Sequence, residues 1–405
     1  MTAEPGGAWA GRTSALRRPP IARITGLAAE LAKPGRDVID LGQAILGLQP
    51  PRAALAAARA YLETEAPHAY SPDPGLPEVR EAIAGFLRRH KRIAAADAGR
   101  VMVTCGANQA FANALLAVTQ PGAEVLTFGP GYFDHGYVIG LGGCAETEVP
   151  LGTRDRRFHF DLAAVEQAIG PQTRAVVLVS PGNPTAAVAG EPFVRGLCEL
   201  CARHGLWLLS DETYDMLTFE PSVHCSPASV SDYERIVTLG SFSKIFGLAG
   251  WRVGYLLGSA ELFEQAFKVQ DALVVCAPVP SQLAAGAALA ELEPYLASVR
   301  AELARRRDAL LAALAPCPWI EPMTPEGATF LLGRIVGPHG AEPPDDVAVC
   351  EQLLRQAGIV TVPGSAFGPR GRGFVRLSFG NQPVGRIELA GARLRQLDGA
   401  AGSAR

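Results

Sequence analysis

The chain has 405 residues, 48% hydrophobic and 19% charged, so it can bury a large core and has the length for two or more domains. Its formal net charge of -3 and pI of about 6.2 give no global field toward nucleic acid or an anionic membrane, which leaves a small molecule as the expected partner. No apolar run reaches the ~18 residues of a membrane span, and MTAEPGGAWAGRTSALRRPP lacks the apolar core of a secretory signal; a cytoplasmic location is expected.

The first twenty residues and the tail GAAGSAR are rich in Gly, Ala, Ser and Pro and are expected to be loose. Between them, apolar runs bounded by turn residues predict strands over Arg100–Thr104, Glu124–Phe128, Arg174–Ser180, Leu206–Ser210, Arg235–Gly240 and Val253–Leu257. Helical periodicity predicts helices over Pro77–Arg89, Asn108–Thr119, Glu191–His204 and Gln282–Ala313. This alternation implies an α/β fold with a mostly parallel central sheet, and the near-continuous apolar character of the strands suits a sheet flanked by helices on both faces. Further strands at Thr329–Ile335 and Phe374–Phe379 and a helix near Gly385–Leu397 suggest a smaller α+β domain at the C-terminal end. No internal repeat or low-complexity block interrupts the chain.

Lys33, Lys91, Lys244 and Lys268 are the only lysines among 37 basic residues, so a search for a reactive amine is short. The eight cysteines are scattered, which suits reduced, buried thiols rather than a disulfide framework. Cys198, Cys201 and His204 share a helix, but zinc would need a fourth ligand that the local sequence does not offer, and no metal is expected. Gly140, Gly142 and Gly143 lack the full dinucleotide fingerprint.

Four segments carry chemistry. In SFSKIFGLAGWRVGY a strand runs into Lys244, with Ser241, Ser243 and Arg252 nearby. A lysine amine whose pKa is lowered by burial or a neighbouring cation is a Schiff-base nucleophile, and two hydroxyls and a guanidinium can hold a phosphate dianion. Read alone, the segment is also an ordinary exposed loop. In VSPGNPTAAV a strand ends in a sharp turn that would place Asn183 at a carboxyl edge, where open α/β sheets bind ligands, although any turn could look the same. In WLLSDETYDML, Asp211 ends a buried strand, where a carboxylate needs a donor or cation; helix capping by Asp211 and packing by Tyr214 are the plainer alternatives. In VMVTCGANQAF, Gly106, Ala107 and Asn108 open a helix whose N-terminal amides favour phosphate, or form a simple strand-to-helix turn.

Taken together, Asn183, Asp211, Tyr214, Ser241, Lys244 and Arg252 occur in an order that resembles the class I/II aminotransferases of pyridoxal-phosphate (PLP) fold type I, over roughly residues 40–379. The resemblance implies that Lys244 holds PLP and later moves the α-proton, that Asp211 pairs with the pyridine nitrogen, and that Asn183 and Tyr214 contact the ring oxygen. Gly106, Ala107, Asn108, Ser241, Ser243 and Arg252 correspond to phosphate contacts, and Tyr132 in GPGYFDHG to the ring that stacks on the cofactor. Tyr70 in HAYSPDPG matches a tyrosine that reaches the neighbouring subunit's phosphate, which implies a homodimer with shared sites. Arg376 in FVRLSF matches the arginine that forks the substrate carboxylate. The implied domains are 1–48 (arm and part of the small domain), 49–293 (PLP-binding) and 294–405 (small domain).

One stretch departs from the family pattern: DLGQAILGLQPP puts Ala44 where a glycine is usual, with Ile45, Leu46 and Gly47 in place of aromatic and acidic residues. That loop lines the substrate side in the family. The expected activity is ping-pong transamination between a 2-amino acid and a 2-oxo acid; a decarboxylating, eliminating, replacing or oxidising enzyme of the same fold, or a non-catalytic PLP-binding regulator, are the alternatives. His135, two residues after Phe133, either touches substrate or supports the structure.

Overall fold

A computed structural model describes residues 10–14, 16, 21–31, 37–65, 68–336 and 345–397. Its centre is a seven-stranded sheet of β1 (Val101–Thr104), β2 (Glu124–Gly129), β3 (Ala145–Pro150), β4 (Thr173–Val179), β5 (Trp207–Asp211), β6 (Ile236–Ser241) and β7 (Gly254–Leu257) in the order β1-β7-β6-β5-β4-β2-β3. All neighbours pair in parallel except β7, which runs antiparallel to both β1 and β6.

Two-residue periodicity within the strands sends side chains to opposite faces, and both faces are covered. On one face Val177 and Leu209 pack with Phe111, Leu115 and Ala266 of helices Ala107–Val118 and Ala260–Leu273. On the other, Leu178 and Leu208 pack with Val194, Leu197 and Cys201 of helix Glu191–His204, which ends on Gly205 in the left-handed conformation that glycine adopts without cost.

A second, antiparallel sheet contains β8 (Ile320–Pro322), β9 (Phe330–Ile335), β10 (Val362–Pro363) and β11 (Phe374–Ser378) in the order β8-β9-β11-β10. The short strand Ile39–Asp40 pairs in parallel with Ile359–Val360, which ties the N-terminal segment to this C-terminal part of the chain.

All six strands expected for the central sheet form. Helix Gln282–Ala313 does not: the segment folds as two helices, Val279–Ala290 and Leu292–Leu314, broken at Glu291. The first packs on helix Arg52–Leu62 and the second on helix Val384–Arg395, so two different partners impose two axes on one helix-forming sequence. The carboxylate of Glu291 accepts from Ala53 N at 3.3 Å, at the start of helix Arg52–Leu62. β3 escaped the sequence reading because it is an edge strand with a mostly exposed, Glu-containing pattern. Of the first twenty residues, Gly11–Ser14 form a single helical turn; most of the rest, and the tail from residue 398, lie outside the described residues. No described helix is long and apolar enough to cross a membrane.

Candidate active site

β4, β5 and β6 end side by side, and their carboxyl ends open into a cavity of about 350 Å³. Asp211 is the last residue of β5, Ser241 the last of β6, and Asn183 lies just beyond β4; all three line the cavity. They are joined there by Ala107, Asn108, Tyr132, Tyr214, Ser243, Lys244, Arg252, Arg376 and Ala44. Chain segments more than three hundred residues apart thus meet at one place.

Lys244 follows the N-cap Ser241, whose Oγ accepts from Ser243 N at 3.1 Å. Its Nζ donates to the Ala44 carbonyl at 2.7 Å and, among the described residues, faces no carboxylate. Burial, assisted by the positive charges of Arg376 and Arg252, lowers its pKa to about 8. Lys91 contrasts sharply, since it is buried between the carboxylates of Glu212 and Asp215 and is held as a cation. Lys268 is on the surface beside Gln265, and Lys33 lies outside the described residues. Lys244 is the described lysine suited to nucleophilic chemistry.

Asp211 is buried, which by itself would raise its pKa, yet its carboxyl is held below the usual range by the hydrogen bond and charge of His135 (3.1 Å) and by the N–H of Thr213 (3.0 Å). His135 therefore supports Asp211, its own ring tilted against Phe111 at 4.2 Å and edge-on to Tyr132 at 5.2 Å. His135 is buried and does not line the cavity, which favours the supporting reading. Tyr214 is buried with its ring edge-on to Phe330 at 5.4 Å, and burial pushes its hydroxyl pKa well up, so it is a hydrogen-bonding phenol and not a phenolate.

Arg376 on β11 is buried between the rings of Phe330 and Phe367, each centroid 5.0 Å from the guanidinium carbon. It donates to Asn183 Oδ1 at 2.9 Å and to the Gly42 carbonyl at 2.7 Å, while its Nε is buried without a partner. Burial depresses its pKa only to about 10, so it remains cationic at neutral pH. A guanidinium fixed this way, with donor capacity to spare, suits a planar carboxylate.

At the opposite end, Gly106 adopts φ 84°, and a Cβ there would come 2.5 Å from Arg252 Nη2. Gly106 thus lets the helix N-terminus and the guanidinium approach closely, leaving a cradle of amides, hydroxyls and positive charge. Asn108 Nδ2 (2.8 Å) and the Tyr132 hydroxyl (2.6 Å) both donate to Asp134, which was not anticipated and which holds the ring in the cavity lining. Tyr70 does not line the cavity; it is 82% exposed. Thr213, Gln43, Ile45 and Phe133, from segments already singled out in the sequence, also line the cavity, and Ile21 joins them from a helix that carries no motif and was not anticipated.

A mostly parallel sheet with a lysine amine, a buried carboxylate and an anion cradle at its carboxyl edge defines a PLP fold-type-I transferase. The comparisons narrow the class. The profile of the aminotransferase class I and II family matches residues 36–391, and the chain belongs to that family. It is 32% identical over 391 residues to the aromatic aminotransferase ISS1 of Arabidopsis thaliana, covering 95% of each chain, and 32% identical over 355 residues to an aspartate aminotransferase of Pyrococcus abyssi, covering 86% of this chain and 89% of that one. Its fold superposes on a single mutant of Thermus thermophilus aspartate aminotransferase with a TM-score of 0.88 at 30% identity, covering 96% and 99% of the two chains. The protein is an aminotransferase of a PLP-using family.

Proposed function

We propose that this enzyme binds PLP through Lys244 and transfers an amino group from a 2-amino acid to a 2-oxo acid in two half-reactions. The observation that carries the reading is the pairing, in one cavity, of an amine with no acid partner and a buried guanidinium with an unpartnered Nε. The residues fit the cofactor: a Cβ at Gly106 would fill the phosphate cradle, and Asp211 offers an ionised acceptor at the sheet edge.

Bound PLP supplies an electron sink for the bond broken at the α-carbon. The chain does the rest. Ser241, Ser243, Arg252 and the amides of Gly106, Ala107 and Asn108 would hold the phosphate; Asp211 would keep a proton on the pyridine nitrogen; Tyr214 and Asn183 would contact the ring oxygen; and Tyr132 would pack against the ring. Arg376 would orient the substrate carboxylate, and the amine of Lys244 would accept the α-proton and give it back. Ala44 holds the lysine through its carbonyl and lines the substrate side.

The same reading includes a homodimer in which Tyr70 completes the partner's site. In support, Tyr70 is exposed, and its segment is pinned by Gln270, which donates to the Asp73 carbonyl at 2.6 Å, near exposed Leu273 and Val274. It also includes a division into 1–48, 49–293 and 294–405, supported by the pairing of Ile39–Asp40 with Ile359–Val360, and a cytoplasmic location.

An absorption titration tests the proposal. Purified enzyme loaded with PLP should lose its visible band on addition of a suitable amino acid and regain it on addition of a 2-oxo acid. Carbon dioxide or a leaving group released without any acceptor would replace transamination by another PLP chemistry.

A further inference from the structure

Behind the cavity wall lies a second polar cluster that the catalytic reading leaves unused. Lys91, at the C-cap of helix Pro77–His90, reaches Glu212 Oε2 at 2.8 Å and Asp215 Oδ2 at 2.5 Å, with all three side chains essentially free of solvent. Glu212 Oε1 also accepts from Ser210 Oγ at 3.0 Å and Ser226 Oγ at 2.7 Å, and His224 Nε2 lies 3.3 Å from Oε2. The rings of Phe86 and Tyr255 close the cluster at 5.9 and 5.6 Å from the ammonium.

The placement along the chain gives the cluster its meaning. Over residues 211–215, Asp211, Thr213 and Tyr214 line the cavity, while Glu212 and Asp215 point away from it to Lys91. The two carboxylates therefore bracket the turn that presents Asp211 and Tyr214, and one ammonium grips both. The backbone is tied at the same place by Ser180 N to Asp211 O at 3.2 Å, Glu212 N to Leu239 O at 2.9 Å, Asp215 N to Glu212 O at 3.2 Å and Leu217 N to Tyr214 O at 2.8 Å. Those bonds fix the path of the backbone, whereas the two ion pairs fix which way the alternate side chains face, and a catalytic group that shifts by a fraction of an ångström loses its alignment.

We propose that Lys91 is a positioning residue for the cofactor site, which by joining Glu212 to Asp215 fixes the turn that aims Asp211 and Tyr214 into the cavity. This rests on the assignment of those two residues to PLP. It adds a third layer to the site, beyond His135, built from a helix end some 120 residues earlier in the chain.

The test compares wild type with Lys91→Met and with Lys91→Met/Asp215→Asn; the double variant removes one cation and one anion and so preserves the cluster's net charge. Folding is followed by circular dichroism, PLP affinity by fluorescence titration of apoenzyme, and the bound cofactor by the pH midpoint of its visible absorbance. Both variants should bind PLP about tenfold more weakly, shift that midpoint upward by about one unit as Tyr214 and Asp211 lose alignment, and lower kcat about tenfold with KM changed little. A lower melting temperature with the wild-type midpoint and PLP affinity would make the cluster a stabilising ion pair alone and overturn the proposal. Should Lys91→Met fail to fold, the double variant decides; failure of both would assign Lys91 to folding and equally overturn it. Wild-type enzyme that develops no visible absorbance with PLP would instead sink the cofactor assignment itself.

Discussion

His135 Nε2 stands 3.1 Å from Asp211 Oδ2, and both side chains are buried. The contact supplies a donor to a carboxylate that burial alone would tend to protonate, and together with Thr213 N it holds the Asp211 pKa below its ordinary value. A depressed carboxylate contributes stability that is present above the unfolded pKa of about 3.9 and lost as pH falls through the folded value. His135→Phe keeps a ring against Phe111 but removes the donor. It should destabilise the protein by about 1–3 kcal/mol at pH 7 and by much less near pH 3. Urea melts at the two pH values check this, and an equal loss at both would mean that packing, not the hydrogen bond, is what His135 provides.

Lys244→Ala should abolish the visible absorbance of enzyme mixed with PLP and reduce transamination by several orders of magnitude. In the wild type only the unprotonated amine attacks the aldehyde, so the rate at which apoenzyme takes up PLP should rise with pH through a midpoint of about 8. Stopped-flow absorbance measures it; a midpoint near that of a free lysine, above pH 10, would mean that the site does not perturb the amine.

Arg376→Ala removes the donor that reaches Asn183 and Gly42 and leaves a gap between Phe330 and Phe367. The KM for 2-amino acids should rise on the order of 100-fold, as expected for loss of one partner of a buried, hydrogen-bonded charge pair. PLP affinity should change little. An unaltered KM in steady-state assays would place the carboxylate elsewhere.

Gly106→Ala forces a Cβ to within 2.5 Å of Arg252 Nη2 at a residue with φ 84°. The guanidinium must move, so PLP should bind about tenfold more weakly while pyridoxal, which has no phosphate, binds as in the wild type. Parallel fluorescence titrations with the two ligands separate the effects; equal weakening of both would indicate general disruption and not a phosphate defect.

Tyr70→Phe removes a hydroxyl from an exposed ring that has no role in its own chain's cavity. If it completes the partner's site, sedimentation of the wild type should give a dimer, and the variant should release PLP faster. A monomer at micromolar concentration would leave Tyr70 without that role.

How much could be read beforehand differed by element. β4, β5 and β6 were legible because a strand covered on both faces must be apolar along its whole length, and the turn residues that end it are equally local signals. Lys244 stood out because the chain has so few lysines. β3 was not legible, since an edge strand that carries exposed Glu146 and half-buried Glu148 reads as a loop. Glu291 was passed over because its role in breaking a helix depends on which partners the two halves find.

The sequence by itself determined the alternation of strands and helices and the identity of the groups that meet at the sheet edge, because periodicity, turn chemistry and residue type act over a few neighbouring positions. Only the tertiary structure decided what those groups are. Burial without an acid partner makes Lys244 an available amine, while burial between Glu212 and Asp215 makes Lys91 a fixed cation. Arg376 likewise acquires its fixed geometry from Asn183 and Gly42, 193 and 334 residues away. Desolvation and charge pairing are properties of the assembled surroundings, and those surroundings come from parts of the chain that no local pattern connects.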